Sequence, residues 1–184
     1  MKRLPQLSRP NTTNVPGLDL VRLIDVRDIQ GVVSPNEVYA VSETLLPAGW
    51  IVPNPDAVWV DFFFTAGEAN YVPTVVPSVH GPSVKHTLQL PIGNDSPEYA
   101  KVVKLLSKGR WMAFVMDANE QVKLVGLPEQ PLKLKQASQS RNAWVVELVT
   151  ETLYPAYHVS EWDLEKIYGN PADYSFDFSL DFNA

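Results

Sequence analysis

Hydrophobic and polar residues alternate most strictly near the end of the chain, where Tyr174, Phe176, Phe178, Leu180 and Phe182 are separated by Ser175, Asp177, Ser179 and Asp181. On an extended strand this spacing puts every large apolar group on one face and every polar group on the other. Burying these side chains is worth roughly 1.5–3 kcal/mol each, against about 1–2 kcal/mol per residue for ordering the backbone. The two nearly cancel, so a strand over 173–183 is expected to need a hydrogen-bonding sheet edge as well, in its own fold or in a neighbouring copy. These five side chains are the expected interface.

The same reading places other strands upstream. Leu18–Val26 is compatible with one, and 34–55, with Pro35, Pro47, Pro53 and Pro55, reads as short extended pieces joined by turns. Ala57–Thr65 combines Val58, Trp59, Val60, Phe62, Phe63 and Phe64 in a near-continuous apolar run, which predicts a strand buried on both faces. After a Pro-rich loop, Val84, His86, Leu88 and Leu90 alternate with Lys85, Thr87 and Gln89. Arg110–Met116 and Gln121–Gly126 flank Asp117-Ala118-Asn119-Glu120 as a hairpin, and Pro131–Lys135 and Ala143–Thr150 add two strands.

One period of 3.6 is clear. Tyr99, Val102, Val103 and Leu106 fall at i, i+3, i+4 and i+7 between a capping Asp95 or Ser96 and a terminating Gly109, predicting a helix over 97–108. A second, short helix is predicted over 160–168, capped by Ser160 with Asp163 in the reciprocal position and stopped by Gly169 and Pro171.

Composition narrows the classes. The chain has 184 residues, 45% of them hydrophobic, enough for one β-rich domain over 18–184. Residues 1–17 lack periodicity and form an expected extended arm. Sixteen prolines against nine glycines favour irregular connections and edge strands and exclude an all-helical fold. The net charge of −6 argues against nucleic-acid binding. Its distribution is uneven: from Glu161 onward six acids face only Lys166, whereas residues 1–30 hold five basic residues against three acids. The two ends could attract each other, within a molecule or head to tail, or simply be solvated.

With no cysteine there is neither a disulfide framework nor a thiolate site. The start has basic residues but no apolar run after them, and no stretch reaches the length of a membrane span. Cytoplasmic at synthesis, without membrane association, is the expectation.

Candidate chemistry is sparse. His80, His86 and His158 have no ligand spacing for zinc, and no Gly-x-Ser-x-Gly elbow or phosphate loop is present. Asp117 and Glu120 form a carboxylate pair by position, yet they bracket a turn where Asp serves backbone hydrogen bonds. Asp61, Glu147 and Asp163 are acids that could meet in space, but nothing selects a pair. Trp50, Trp59, Trp111, Trp144 and Trp162 could line a carbohydrate groove, with core packing or a self-interface as the favoured reading.

The block Arg110-Trp111-Met112-Ala113-Phe114-Val115-Met116-Asp117-Ala118-Asn119, with Leu124-Val125-Gly126, Pro131-Leu132, Ser140-Arg141-Asn142-Ala143 and Tyr154-Pro155-Ala156-Tyr157, resembles small uncharacterised proteins of prophage structural gene modules. The resemblance spans roughly residues 83–158, and it differs at Glu120, where such proteins usually have glycine. It implies a virion part near the tail or the head–tail junction and carries over no catalytic residue.

The expectation is therefore a mainly β (α+β) protein, an antiparallel sandwich or distorted barrel with one main helix. Its expected function is that of a non-enzymatic, homo-oligomeric assembly subunit, virion-associated if the resemblance holds. It would use no cofactor, and its partners would be itself or other virion proteins rather than a small-molecule ligand. The alternative is a carbohydrate- or peptide-binding β-module using surface Trp and Tyr, and an enzyme built on unsignalled carboxylates ranks last.

Overall fold

Among the described residues, twelve strands, one helix and one 3-10 turn follow in order: β1 (Leu18–Asp25), the 3-10 turn (Val26–Asp28), β2 (Ile29–Val32), β3 (Leu45–Leu46), β4 (Ile51–Pro53), β5 (Trp59–Phe63), β6 (Asn70–Val76), β7 (Ser83–Asn94), α1 (Pro97–Lys108), β8 (Trp111–Asp117), β9 (Val122–Val125), β10 (Lys133–Ser140), β11 (Ala143–Thr152) and β12 (Tyr157–Val159). The structure is a computed structural model that describes residues 17–32, 45–46, 51–65, 67–79, 81–94, 96–140 and 143–159. The expected arm, apart from Gly17, the short helix at 160–168 and the terminal strand at 173–183 lie outside the described residues.

A large sheet of six strands runs β3-β12-β9-β8-β1-β5, a small sheet of four runs β10-β11-β7-β6, and β2 and β4 form a separate ribbon. All pairings are antiparallel except β12 with β3. The protein is thus mainly β, and the sheets are open and stacked as a sandwich, not closed into a barrel. Between them lies an apolar core that includes Val21, Leu23, Ala113 and Val115 from the large sheet and Leu88, Leu90, Val146 and Leu148 from the small one.

A second apolar cluster sits on the opposite face of the large sheet, with Ile24, Met112, Phe114 and Leu124 at its centre and Ile29 and Ile51 of the ribbon packed against it. Burial on both faces explains why Trp111–Val115 is apolar at every position instead of alternating. The small sheet shows the opposite habit: on β7, Val84, His86, Leu88, Leu90 and Ile92 are buried, with Lys85, Thr87 and Gln89 between them.

The helix forms as its sequence predicts. Ser96 is the cap, its Oγ accepting from the Tyr99 N–H, and Pro97 opens the first turn. Leu106 is fully buried, and Tyr99, Val102 and Val103 pack against the inter-sheet core. The far end is closed by Trp111, whose indole N–H donates to the Leu106 carbonyl at 3.0 Å. The close approach of that ring requires glycine at 109: a Cβ there would stand 2.3 Å from indole carbons.

The hairpin also forms where the sequence places it. Asp117 Oδ1 accepts from the N–H groups of Asn119 (2.9 Å) and Gln121 (3.0 Å), so Asp117 organises a turn rather than pairing with Glu120 for chemistry. Glu120 has φ +59°. A left-handed conformation costs an L-residue roughly 1–2 kcal/mol that glycine avoids, partly offset by the entropy glycine loses on folding. Glu120→Gly is therefore expected to raise the urea midpoint by the equivalent of about 0.5–1 kcal/mol; an unchanged or lower midpoint contradicts this.

Two expectations need correction. The run 57–65 was expected to be buried on both faces, but β5 is the outermost strand of the large sheet, with Val58 64% and Phe63 65% exposed. Its aromatic content reflects side chains lying over both faces at a sheet margin, not a central position. The stretch before Ser83, expected as a Pro-rich loop, contains β6, which includes Pro73 and lies at the edge of the small sheet, where a missing N–H is tolerated.

Candidate functional site

The expected interface residues Tyr174, Phe176, Phe178, Leu180 and Phe182 lie outside the described residues, as do His80, Trp50, Trp162 and Asp163. What the structure does show is the set of sheet edges to which such a strand could add. Two of them, the margins of the small sheet, carry devices that discourage pairing. On β6, Pro73 removes a donor. On β10, Lys133 and Lys135 flank Leu134, and the register shifts between Leu134 and Gln136.

β5 has none of these. Its sequence, WVDFF, contains neither Pro nor Lys, and it pairs with β1 in unbroken register from Leu20↔Phe63 to Ile24↔Trp59. The Phe64 N–H donates to the Asp19 carbonyl at 2.9 Å. By the alternation of an antiparallel ladder, the main-chain groups of Trp59 and Asp61 therefore point away from β1, toward the margin.

The one charge on β5 is neutralised. Arg22, opposite Asp61 on β1, donates through Nε and Nη2 to the two carboxylate oxygens, both at 2.7 Å, and its guanidinium lies 5.4 Å from the Trp59 ring centroid. Both side chains are largely buried, at 8% and 16% exposure. A bidentate pair over an aromatic face fixes the edge strand against its neighbour. The two were not singled out as a pair in the sequence; the available signal was the lone cation of β1 and the lone anion of β5, each flanked by apolar residues.

On the inter-sheet side of β5 is a hollow of about 240 Å³ lined by Val58, Val60, Leu105 and Trp111 together with Asp25, Arg27 and Asp28. Arg27 pairs with Asp25 at 2.7 Å and holds its carboxyl below the usual carboxylate range. Val58 and Leu105 are 64% and 48% exposed. Leu105 lies off the helix's predicted apolar stripe, which was the sequence signal for this surface.

Elsewhere the polar side chains hold the fold together. His86, 1% exposed, bridges two strands and a loop: Nδ1 lies 2.7 Å from the Tyr71 hydroxyl, and Nε2 lies 2.8 Å from Thr152 Oγ1 and 3.3 Å from the Tyr154 carbonyl. Because the Thr152 hydroxyl donates to the Tyr154 carbonyl, it accepts from Nε2–H, which leaves Nδ1 to accept from Tyr71. Burial pushes the Tyr71 phenol upward, keeping its proton in place.

Burial also lowers the pKa of His86 from its ordinary 6.5, and burial, then Lys123, lowers that of His158. The unfolded chain therefore binds protons that the folded chain refuses. Stability is full above about pH 6.5 and falls as pH drops below it, toward the folded-state value. Urea midpoints taken between about pH 7.5 and pH 5 should show this decline, and His86→Gln should flatten it, leaving only the part due to His158. A slope unchanged by His86→Gln contradicts the assignment.

The acids do not converge. Asp61 binds Arg22 in the large sheet, whereas Glu147 binds Lys135 at 2.8 Å in the small one. Among the described residues no three His, Asp or Glu side chains are grouped to hold a metal ion, and no described helix is long and apolar enough to cross a membrane. Trp59, Trp111 and Trp144 pack against the apolar clusters. Comparison with protein-family models, with curated proteins and with solved structures finds no match.

Proposed function

We propose that this chain is a non-enzymatic structural subunit that forms homo-oligomers by strand addition, in an assembly of the phage tail or head–tail connector type. The observation that carries this reading is the contrast between β5 and the other edges. Proline on β6 and lysines with a bulge on β10 protect both margins of the small sheet, while among the described residues an apolar, charge-neutralised strand forms the β5 margin of the large one. No described strand pairs with the outer side of β5, and such an edge is a template for another strand. The sequence supplies a strand suited to it in residues 173–183.

The assembly type rests on the likeness of residues 83–158 to prophage structural-module proteins. The alternative of a carbohydrate-binding platform has less support, because the described tryptophans are committed to the apolar clusters.

Light scattering across a concentration series tests the reading. The full chain is expected to grow in mass with concentration, and a chain ending at Ala172 is expected to stay monomeric with its thermal transition retained. A full chain that remains a monomer throughout removes the assembly reading, as does an oligomer indifferent to the truncation.

A further inference from the structure

We propose that the hollow beside β5 is the receptor for an aromatic side chain of residues 173–183 donated by a second copy of the chain, with that segment hydrogen-bonded along β5. The inference rests on the assembly reading and adds to it the place and the register of the contact.

The argument is geometric. A strand added to β5 would lie about 4.8 Å from it and would meet the outward main-chain groups of Trp59 and Asp61. Its alternate side chains on the inter-sheet side would stand level with Val58 and Val60, the two β5-side residues of the hollow. Only a segment with large apolar groups at every second position can fill that side while keeping the other side polar. Residues 174–182 have this pattern, with Ser175, Asp177, Ser179 and Asp181 between the apolar members.

Size agrees with this. The hollow holds about 240 Å³, and a cavity of about 150 Å³ suffices for a benzene ring. Its chemistry agrees as well: the lining combines apolar Val58, Val60, Leu105 and Trp111 with polar Asp25, Arg27 and Asp28, a mixture usual in a protein contact.

Reach is sufficient. The last described residue, Val159, ends β12, and residues 160–173 separate it from Tyr174. Fourteen residues span at most roughly 46–50 Å when extended, which allows the segment to pass to a neighbouring molecule. The rings of the donor would then cover Val58 and Leu105, the exposed apolar side chains at the lip of the hollow.

The absence of native cysteine permits a clean test in the full-length chain. Chains carrying Val58→Cys are mixed with chains carrying a single cysteine substitution at each position from 174 to 182 and oxidised gently. Disulfides form only where Cα atoms approach to about 4.4–6.8 Å. The expected result is linkage between two chains that peaks at one apolar position and is lost at the polar positions on either side of it. Leu105→Lys, on the helix surface, should abolish the linkage and reduce the mass of the oligomer to that of the monomer.

If the oligomer persists while no position links to Val58→Cys and Leu105→Lys changes nothing, the receptor is elsewhere and only the inference falls. If linkage occurs solely within a chain carrying both substitutions, the donor is not a second copy and the inference is overturned. If the unsubstituted chain is monomeric at every concentration, the assembly reading falls with it.

Discussion

Asp61→Ala should lower stability by about 3–5 kcal/mol, read as the shift in urea midpoint at constant slope. The cost does not come from the attraction lost between two charges, because replacing such a pair by apolar groups is often neutral. It comes from the guanidinium left behind: Arg22 is 8% exposed at its side chain, lies against Trp59 and loses both carboxylate oxygens at once. Arg22→Met in the same chain should therefore recover most of the loss, since a methionine fills the position without a charge. If Asp61→Ala costs less than about 1 kcal/mol, the pair behaves as an exposed one, and β5 is not fixed by it. The same variant offers a functional readout, because an edge strand no longer clamped to β1 is a poorer template for addition.

The second large effect is expected at the end of the helix. Trp111→Ala removes a side chain that is 2% exposed in the inter-sheet core, which by volume alone costs about 3–5 kcal/mol. It also strips the Leu106 carbonyl of its indole donor. Gly109→Ala should cost about 1–3 kcal/mol, because its Cβ would fall within 2.3 Å of the indole carbons. The two changes are coupled by construction. With the indole gone, the three atoms nearest to a Cβ at 109 are removed, so adding Gly109→Ala to Trp111→Ala should cost less than it does alone. A double-mutant cycle in chemical denaturation that shows simple additivity would mean that the ring and the glycine do not constrain each other.

The helix and the hairpin could be read from the sequence because their signals are local. Ser96, Pro97 and Gly109 mark the ends of one, the 99/102/103/106 spacing marks its buried face, and Asp117 and Asn119 mark the turn of the other. β6 escaped notice because Pro73 argues against a strand unless the strand is known to lie at an edge. β12, three residues long, offers too little pattern for any period to emerge.

The character of β5 was hidden for a deeper reason. A run such as Trp59–Phe63 states that both faces are apolar, but it does not state how many neighbours the strand has. That depends on Val21 meeting Phe62 on one side and on what meets Trp59 on the other. The Arg22–Asp61 pair, 39 positions apart, is non-local in the same sense. So is the hollow, which draws on β5, α1, the 3-10 turn and the start of β8. The period of the terminal segment is local to the sequence, whereas its proposed receptor exists only once the large sheet has formed.

The position of β1 has a consequence during synthesis. β1 sits between β5 and β8, with Val21 opposite Val115, so a strand made early waits for one made much later. At the usual rate of elongation the delay is roughly 5–20 s. For that interval Leu20–Ile24 can pair with β5 alone, and its other flank stays without the strand that covers it in the finished sheet.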